Sequence, residues 1–275
     1  MKFLKFIVMT VIGITSCMSI SSCSDDKDEP SGGESVKPSK VFANGVPKQV
    51  GGIEITCGKS GRVNEIRDTD EGVYVVFDYE SYSRAESYDL CMMVNDGGES
   101  GFDYFHIQLN EAGFAKYCKQ IEGDGDVEEW WFEYNSDGQL IKMKRSEGGN
   151  EVTEITYMNG NITSVKMRSE DDGDGGDYVV EYVSPLFENK GCIMMWDECF
   201  GIDMDEMKYA YFAGLLGMPT KNLPTMCKYK HFDPTGEWEN EWVANFTWSL
   251  NENGMPTKLV TNKTDEDDET TIFKW

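Results

Sequence analysis

Apolar and polar residues alternate with a period of two along most of this chain. Trp130, Phe132 and Tyr134 share one face of a segment, while Trp131 and two glutamates share the other. The same alternation recurs in later segments, for example at 245–250. One apolar face and one wet face are typical of antiparallel sheets. The pattern therefore predicts a series of antiparallel strands from about residue 50 to the C-terminus.

Short turn signals separate these segments. Asparagine or aspartate followed by glycine allows left-handed backbone, so each such pair predicts a hairpin turn. The clearest turns lie at 135–138, 159–160 and 251–254, and looser copies surround Gly61 and Gly113. Runs rich in acidic residues occupy other gaps between strands, at 122–126, 170–177 and 265–269. Together these signals predict a meander of consecutive hairpins.

One segment has helical spacing instead. Its apolar residues recur every three or four positions, at Met204, Met207, Tyr211 and Leu215. Asp203 and Glu206 fit a capping box before it, and Gly217 and Pro219 end it. The predicted fold class is therefore all-β: an antiparallel meander rolled into a barrel-like sheet, with one short helix near 204–216. We expect the apolar stripe of the helix to pack against one end of that sheet.

The N-terminus predicts export and anchoring. Residues 1–22 combine a basic start with a short apolar core, which is typical of a secretory signal and too short to span a membrane. Small residues precede Cys23, as in a bacterial lipobox, and acidic residues at 25–29 follow it. That acidic run resembles the surface-export signal of Bacteroidota lipoproteins. We predict Cys23 as the lipid attachment site, with Cys17 as the alternative.

Three regions follow from these observations. Residues 1–22 are predicted to be a lipoprotein signal peptide, residues 23–50 a flexible acidic tether, and residues 51–275 a single β domain. The predicted location is the outer membrane, with a lipid anchor and the domain facing the cell exterior. Alternating aromatics at the C-terminus are typical of membrane barrels, but acidic residues share their face, so we expect the barrel itself to stay in water.

The segment 209–224 carries a family resemblance. Its letters include AGLLG and, four residues later, KNLP. Combined with the repeated asparagine–glycine hairpins, it resembles a Bacteroidota lipoprotein family of unknown function with a porin-like β fold, over about residues 50–275. The resemblance implies a fold and a location, and it supplies no catalytic or binding residues.

The amino-acid composition limits the classes of partner that the protein can bind. The chain has 50 acidic and 25 basic residues, a formal net charge of −25. Nucleic acids and anionic membrane surfaces attract basic patches, so we predict no nucleic-acid partner. Six cysteines remain in the β domain, and the sequence leaves open whether they form disulfides or free thiols: Cys57, Cys91, Cys118, Cys192, Cys199 and Cys227.

The sequence contains no complete catalytic or metal-binding motif. The cysteines form no CxxC pair, and the turn Asp124–Glu128 does not complete a calcium loop, so we predict neither a metal nor a cofactor. None of the nucleophile, zinc-protease or phosphate-loop motifs occurs. His106 and His231 each stand alone, which favours structural roles.

Tryptophans provide the remaining candidates. Trp131 lies on the wetter face of its strand, and Trp238 and Trp242 flank a polar turn. Exposed indoles stack on sugars, so these three are the candidate ligand contacts, with coverage of the barrel edge as the alternative. We predict a surface-anchored, non-enzymatic module that binds an extracellular carbohydrate or protein, or a structural surface protein. The alternative is a carboxylate-dependent hydrolase of extracellular glycans.

Overall fold

Consecutive hairpins close into a barrel. The computed structural model describes residues 36–80, 87–97, 101–171, 173–196, 200–264 and 266–275. In that part of the chain sixteen antiparallel strands pair with their sequence neighbours, and the first strand also pairs with the last. This confirms the predicted all-β meander rolled into a barrel.

The elements are short. The strands are β1 (Gln49–Val50), β2 (Ile53–Cys57), β3 (Val63–Asp68), β4 (Val73–Asp78), β5 (Leu90–Asn95), β6 (Asp103–Leu109), β7 (Ala115–Ile121), β8 (Val127–Tyr134), β9 (Leu140–Arg145), β10 (Glu151–Met158), β11 (Asn161–Ser169), β12 (Gly175–Glu181), β13 (Met226–Phe232), β14 (Trp238–Leu250), β15 (Pro256–Lys263) and β16 (Glu269–Lys274). A helical turn links β9 to β10 (Glu147–Asn150), and two 3₁₀ helices lie at Pro38–Lys40 and Asp205–Tyr211. Among the described residues, none of the helices has the length and apolarity needed to cross a membrane.

The two kinds of turn sort to opposite ends of the barrel. In an antiparallel meander, successive turns alternate between the two rims. The turns after β6, β8, β10 and β14 contain asparagine followed by glycine and share one end, which we call the asparagine rim. The turns after β3, β7, β9, β11, β13 and β15 each contain aspartate or glutamate and share the other end, which we call the acidic rim.

The long connection between β12 and β13 fills the lumen. We call residues 188–196 and 200–222 of this connection the plug. Several of its apolar side chains are fully buried and join the lumenal faces of the strands in one core; they include Phe200, Ile202, Met207, Ala213 and Leu215. At the asparagine rim, the amides of Met218 and Lys221 donate to the carbonyls of Gly138 (2.8 Å) and Gly160 (2.9 Å). These bonds satisfy backbone groups that an irregular chain would otherwise bury without partners.

The helix is shorter than predicted and lies toward the acidic-rim end of the barrel. It is a 3₁₀ helix at Asp205–Tyr211, in which Met207, Tyr209, Ala210 and Tyr211 are buried. Asp205 pairs with Arg145 at the end of β9, and Lys208 pairs with Glu71 in the turn after β3. Met204 is its N-cap residue and makes no side-chain cap. Asp203 accepts a hydrogen bond from the Asp205 amide through Oδ1 at 3.3 Å and pairs with the Arg145 guanidinium through Oδ2 at 2.8 Å. Gly217 ends the segment at φ +85°, and a Cβ there would lie 2.5 Å from the carbonyl oxygen of Gly138.

Part of the region assigned to the tether is folded. Val36, Val41 and Phe42 are buried, and the Phe42 ring packs edge-on against Tyr211 of the plug with centroids 5.3 Å apart. Residues 36–50 therefore belong to the folded unit in this structure. The predicted signal peptide, Cys23 and the first part of the tether lie outside the described residues.

Candidate functional site

The barrel closes through a very short junction between β1 and β16, which we call the seam. Strand β1 has two residues and pairs with β16 only at Gln49–Lys274 and Val50–Phe273. Gly51, at φ +57°, then turns the chain into β2. Among the described residues, the remaining part of β16, Glu269 to Thr271, pairs with β15 alone. The wall is therefore incomplete at the acidic-rim end of the seam.

A cavity of about 290 Å³ lies at this point between the plug and the wall. Its lining comprises the plug residues Ile193, Met194, Met195, Trp196 and Lys208 together with Val50, Glu71, Leu259, Thr261, Glu269, Thr271 and Phe273. We call it the seam cavity. A smaller, almost wholly apolar cavity of about 90 Å³ shares five of these residues, including Trp196, and extends toward Phe42. The seam cavity is close to the lower end of the range for small-molecule sites, about 300–1,000 Å³.

The seam cavity combines an apolar floor with a polar mouth. Trp196 lies edge-on to Tyr211 with ring centroids 5.2 Å apart, which fixes the indole in the floor. At the mouth, Lys208 Nζ donates to both carboxylate oxygens of Glu71 at 2.9 Å. Thr261 and Thr271 add two side-chain hydroxyls to the lining. Such a lining suits an amphipathic ligand with a flat apolar face and hydroxyl or charged groups.

A neighbouring contact holds the plug helix at the mouth. The Tyr209 hydroxyl donates to Asp68 Oδ2 (3.0 Å) and to Glu71 Oε2 (3.1 Å). Burial and the two carboxylates raise the pKa of Tyr209 well above its usual range, so the phenol stays a donor at physiological pH. The helix is therefore tied to the turn between β3 and β4.

Two of the three predicted tryptophans, Trp131 and Trp242, lie on opposite faces of the barrel wall. Trp131 lies on the outer face of β8, 39% exposed, with its ring 5.8 Å from Tyr117. Trp242 lies on the lumenal face of β14, where it packs with Tyr229 at 5.2 Å and the Tyr229 ring packs with Tyr178 at 4.5 Å. The side chain of Trp238 lies outside the described part of the chain. Trp131 and Trp242 therefore lie on different strands, β8 and β14, as well as on different faces of the wall.

Sequence reasoning did not single out Trp196. The segment around it, residues 192–200, has neither the period of a strand nor that of a helix, so no pattern assigned it to a face. The sequence offered one hint of this role: Trp196 follows two methionines in a segment that has neither the strand period nor the helix period. Its role becomes visible only once the plug is placed against the seam.

A cluster of charged side chains surrounds Arg145 below the acidic rim. Its guanidinium contacts Glu128 (2.9 Å), Asp203 (2.8 Å) and Glu147 (3.2 Å), and it also pairs with Asp205. We call these five residues the Arg145 cluster. Burial raises the pKa of Glu128 to about 7 even though Arg145 opposes that change. The cluster connects plug to wall, and none of its members lines the seam cavity.

The thiols add no visible chemistry. Cys57, Cys118 and Cys192 are free thiols in this structure, and Cys199 lies outside the described residues. Burial raises the pKa of Cys192 to about 11 and that of Cys118 well above its usual value. Thiols of this kind are poor nucleophiles. His106 is buried and packs on the Tyr88 ring with centroids 5.2 Å apart.

These features define a closed antiparallel barrel whose lumen holds a plug and a small cavity. The chain belongs to a family described as a domain of unknown function (DUF4595) with porin-like fold, whose model matches residues 59–258. The structure is similar to the crystal structure of a porin-like protein from Bacteroides uniformis, with a TM-score of 0.57, 16% identity, and coverage of 81% of this chain and 87% of that chain. It is also similar to a porin-like protein from Bacteroides vulgatus, with a TM-score of 0.53, 10% identity, and coverage of 81% and 91%. No curated protein sequence matches this chain.

Proposed function

We propose that this protein is a surface-anchored, non-enzymatic binding module that holds a small extracellular carbohydrate in the seam cavity. The observation that carries the proposal is the lining: an indole and methionines form the floor, while hydroxyls and a Lys208–Glu71 ion pair surround the mouth. Sugars present an apolar ring face and a hydroxyl periphery, which match these two parts. The site thus differs from the loop tryptophans that the sequence indicated.

The plug supports the proposal because it fixes the cavity in advance. Backbone bonds hold the plug at the asparagine rim, and Tyr209 holds it beside the mouth. A cavity whose walls are already ordered loses little conformational entropy on binding. A filled lumen is also consistent with binding as opposed to conduction.

The proposal includes a lipid anchor at Cys23 and a barrel that stays in water, and charged residues of the outer wall support the second part. Glu133, Lys142 and Glu154 lie in register across β8, β9 and β10 on the outer face, with Lys142 Nζ 3.6 Å from Glu154. A membrane barrel needs an uncharged outer band and strands of about 9–11 residues. All strands except β11 and β14 have eight residues or fewer.

The hydrolase alternative gains little from the buried carboxylates. Burial raises the pKa values of Glu128 and Glu151 to about 7, but Glu128 belongs to the Arg145 cluster, Glu151 interacts with it, and neither lines the seam cavity. Glu71 does line the cavity, but Lys208 and Tyr209 occupy its oxygens. Binding without turnover is therefore the function that the geometry supports best.

A glycan array with the purified full chain tests the proposal, together with product analysis of every glycan that binds. Ring stacking contributes on the order of 1 kcal/mol, so Trp196→Ala should weaken binding about fivefold or more, and Trp196→Phe should weaken it less. Trp131→Ala, on the outer face, is the matched control and should leave affinity unchanged.

Three outcomes count against the proposal. Cleaved products would identify a hydrolase. An equal loss in Trp131→Ala would place the ligand outside the barrel. Absence of binding to any glycan would leave a structural or protein-binding role.

A further inference from the structure

Three carboxylates of the Arg145 cluster come close enough to share one cation. Oxygen atoms of Glu128, Glu147 and Asp205 lie within 4.8 Å of one another. They come from three separate parts of the fold: β8, the helical turn before β10, and the plug helix. The three carboxylates contact Arg145 through Glu128 Oε1, Glu147 Oε2 and Asp205 Oδ2.

Two buried oxygens beside this group have no hydrogen-bond donor among the described residues. One is Glu128 Oε2, on a side chain that is 4% exposed. The other is Oε1 of Gln120, which is 5% exposed and lies directly opposite Glu128 in the pairing of β7 with β8. A buried acceptor without a donor is costly, because it loses its hydrogen bonds to water on folding. A cation held by Glu128 would satisfy Oε2 of that side chain.

The balance of charge around Arg145 also favours a bound cation. One guanidinium faces four carboxylates, those of Glu128, Glu147, Asp203 and Asp205. Glu151 adds a further buried carboxyl group nearby, whose charge interacts with Asp203 and Arg145. Negative charge therefore exceeds positive charge in a partly buried place, which favours binding of a divalent cation.

We propose that Glu128, Glu147 and Asp205 bind a calcium ion that clamps the plug to the barrel wall, with Gln120 as the neighbouring neutral oxygen. Calcium accepts carboxylate and amide oxygens in irregular arrangements, whereas magnesium demands a near-octahedral shell. Glu147 and Asp205 are 61% and 44% exposed, so an ion can reach the site from solvent and complete its shell with water. The site differs from a linear calcium loop because its ligands are distant in sequence.

Calorimetric titration of the full chain, first stripped with EDTA, tests the site with calcium alone. We expect one saturable site, with a dissociation constant of about 10⁻⁴ to 10⁻³ M as in extracellular modules. The double variant Glu147→Gln/Asp205→Asn should weaken calcium binding at least about tenfold and abolish the rise in melting temperature that calcium causes. The control, Asp126→Asn, removes an exposed acid from the turn just before β8 and should bind as the parent does.

Terbium luminescence locates the ion independently of any loss of stability. The Trp130 ring lies 4.7 Å from the Arg145 guanidinium, so it should sensitise terbium bound at the cluster. Trp130→Phe should then reduce the sensitised emission while keeping calcium affinity. Absence of saturable calcium binding, equal weakening in Asp126→Asn, or unchanged emission in Trp130→Phe would each overturn the proposal.

Discussion

Replacing Glu151 with glutamine removes a carboxyl group that the fold buries beneath the acidic rim. Glu151 begins β10, opposite Ser169 of β11, and is 7% exposed. Its surroundings include Asp203 and Asp205 from the plug, Arg145 from β9, and the Thr153 hydroxyl, which donates to it at 3.4 Å. Glutamine keeps the shape and an acceptor oxygen for Thr153, so the change removes mainly the charge.

Burial, and then the Asp203 charge, raise the pKa of Glu151 from 4.5 to about 7. Between these values the folded protein binds a proton that the unfolded chain has lost, so the free energy of unfolding falls as pH rises. At about 1.36 kcal/mol for each pH unit, the interval corresponds to about 3 kcal/mol. We therefore expect Glu151→Gln to be more stable than the parent by up to about 3 kcal/mol near pH 8, and equal to it near pH 4.

Urea unfolding at a series of pH values, with calcium chelated, measures this difference. The matched control is Glu154→Gln, three residues along the same strand on the exposed outer face, which should differ from the parent by less than about 0.5 kcal/mol at every pH. Glu128, whose pKa burial also raises to about 7, is present in all three proteins and affects them equally. A Glu151→Gln variant that is less stable than the parent near pH 8 would refute the reasoning, because it would show that the ionised carboxylate stabilises the fold.

Two further predictions concern the plug and the anchor. Gly201, at φ +61°, lies so close to Tyr178 that a Cβ would overlap the ring, so Gly201→Ala should lower the free energy of unfolding in urea by about 2–4 kcal/mol. The control Gly236→Ala, at φ +79° with open space around it, should lower it by only about 1 kcal/mol. Equal losses of stability in the two variants would show that the contact with Tyr178 is unimportant. Cys23→Ala should abolish incorporation of labelled palmitate, and continued labelling would move the attachment site to Cys17.

Much of the wall could be predicted because its signals are local. Alternation within six or eight residues fixes which side chains face the core, and asparagine–glycine pairs fix the turns. Trp131 lies on the wetter face, as its neighbours indicated. Trp242 could have been placed as well, since it shares parity with Phe246 and Trp248, whose face the sequence identified as apolar.

The cavity and the cluster could not be predicted, because both depend on contacts between distant segments. The seam joins β1 to β16, at opposite ends of the folded chain. Arg145 brings together carboxylates from β8, from the helical turn after β9 and from the plug. No spacing in the sequence indicates these long-range contacts. Because the chain has so many acidic residues, the carboxylates that surround Arg145 could not be told apart from the others.

The plug is held at its two ends by different chemistry, and this difference bears on access to the seam cavity. At the asparagine rim, backbone amides donate to the carbonyls of Gly138 and Gly160, and such bonds do not titrate. At the acidic rim, the contacts involve charged side chains: Arg145 pairs with Glu128, and the Tyr209 hydroxyl donates to the Asp68 carboxylate. The mouth of the cavity lies at this second end, beside Glu71. The contact beside the mouth is therefore ionic, whereas the contacts at the other end of the plug join backbone groups.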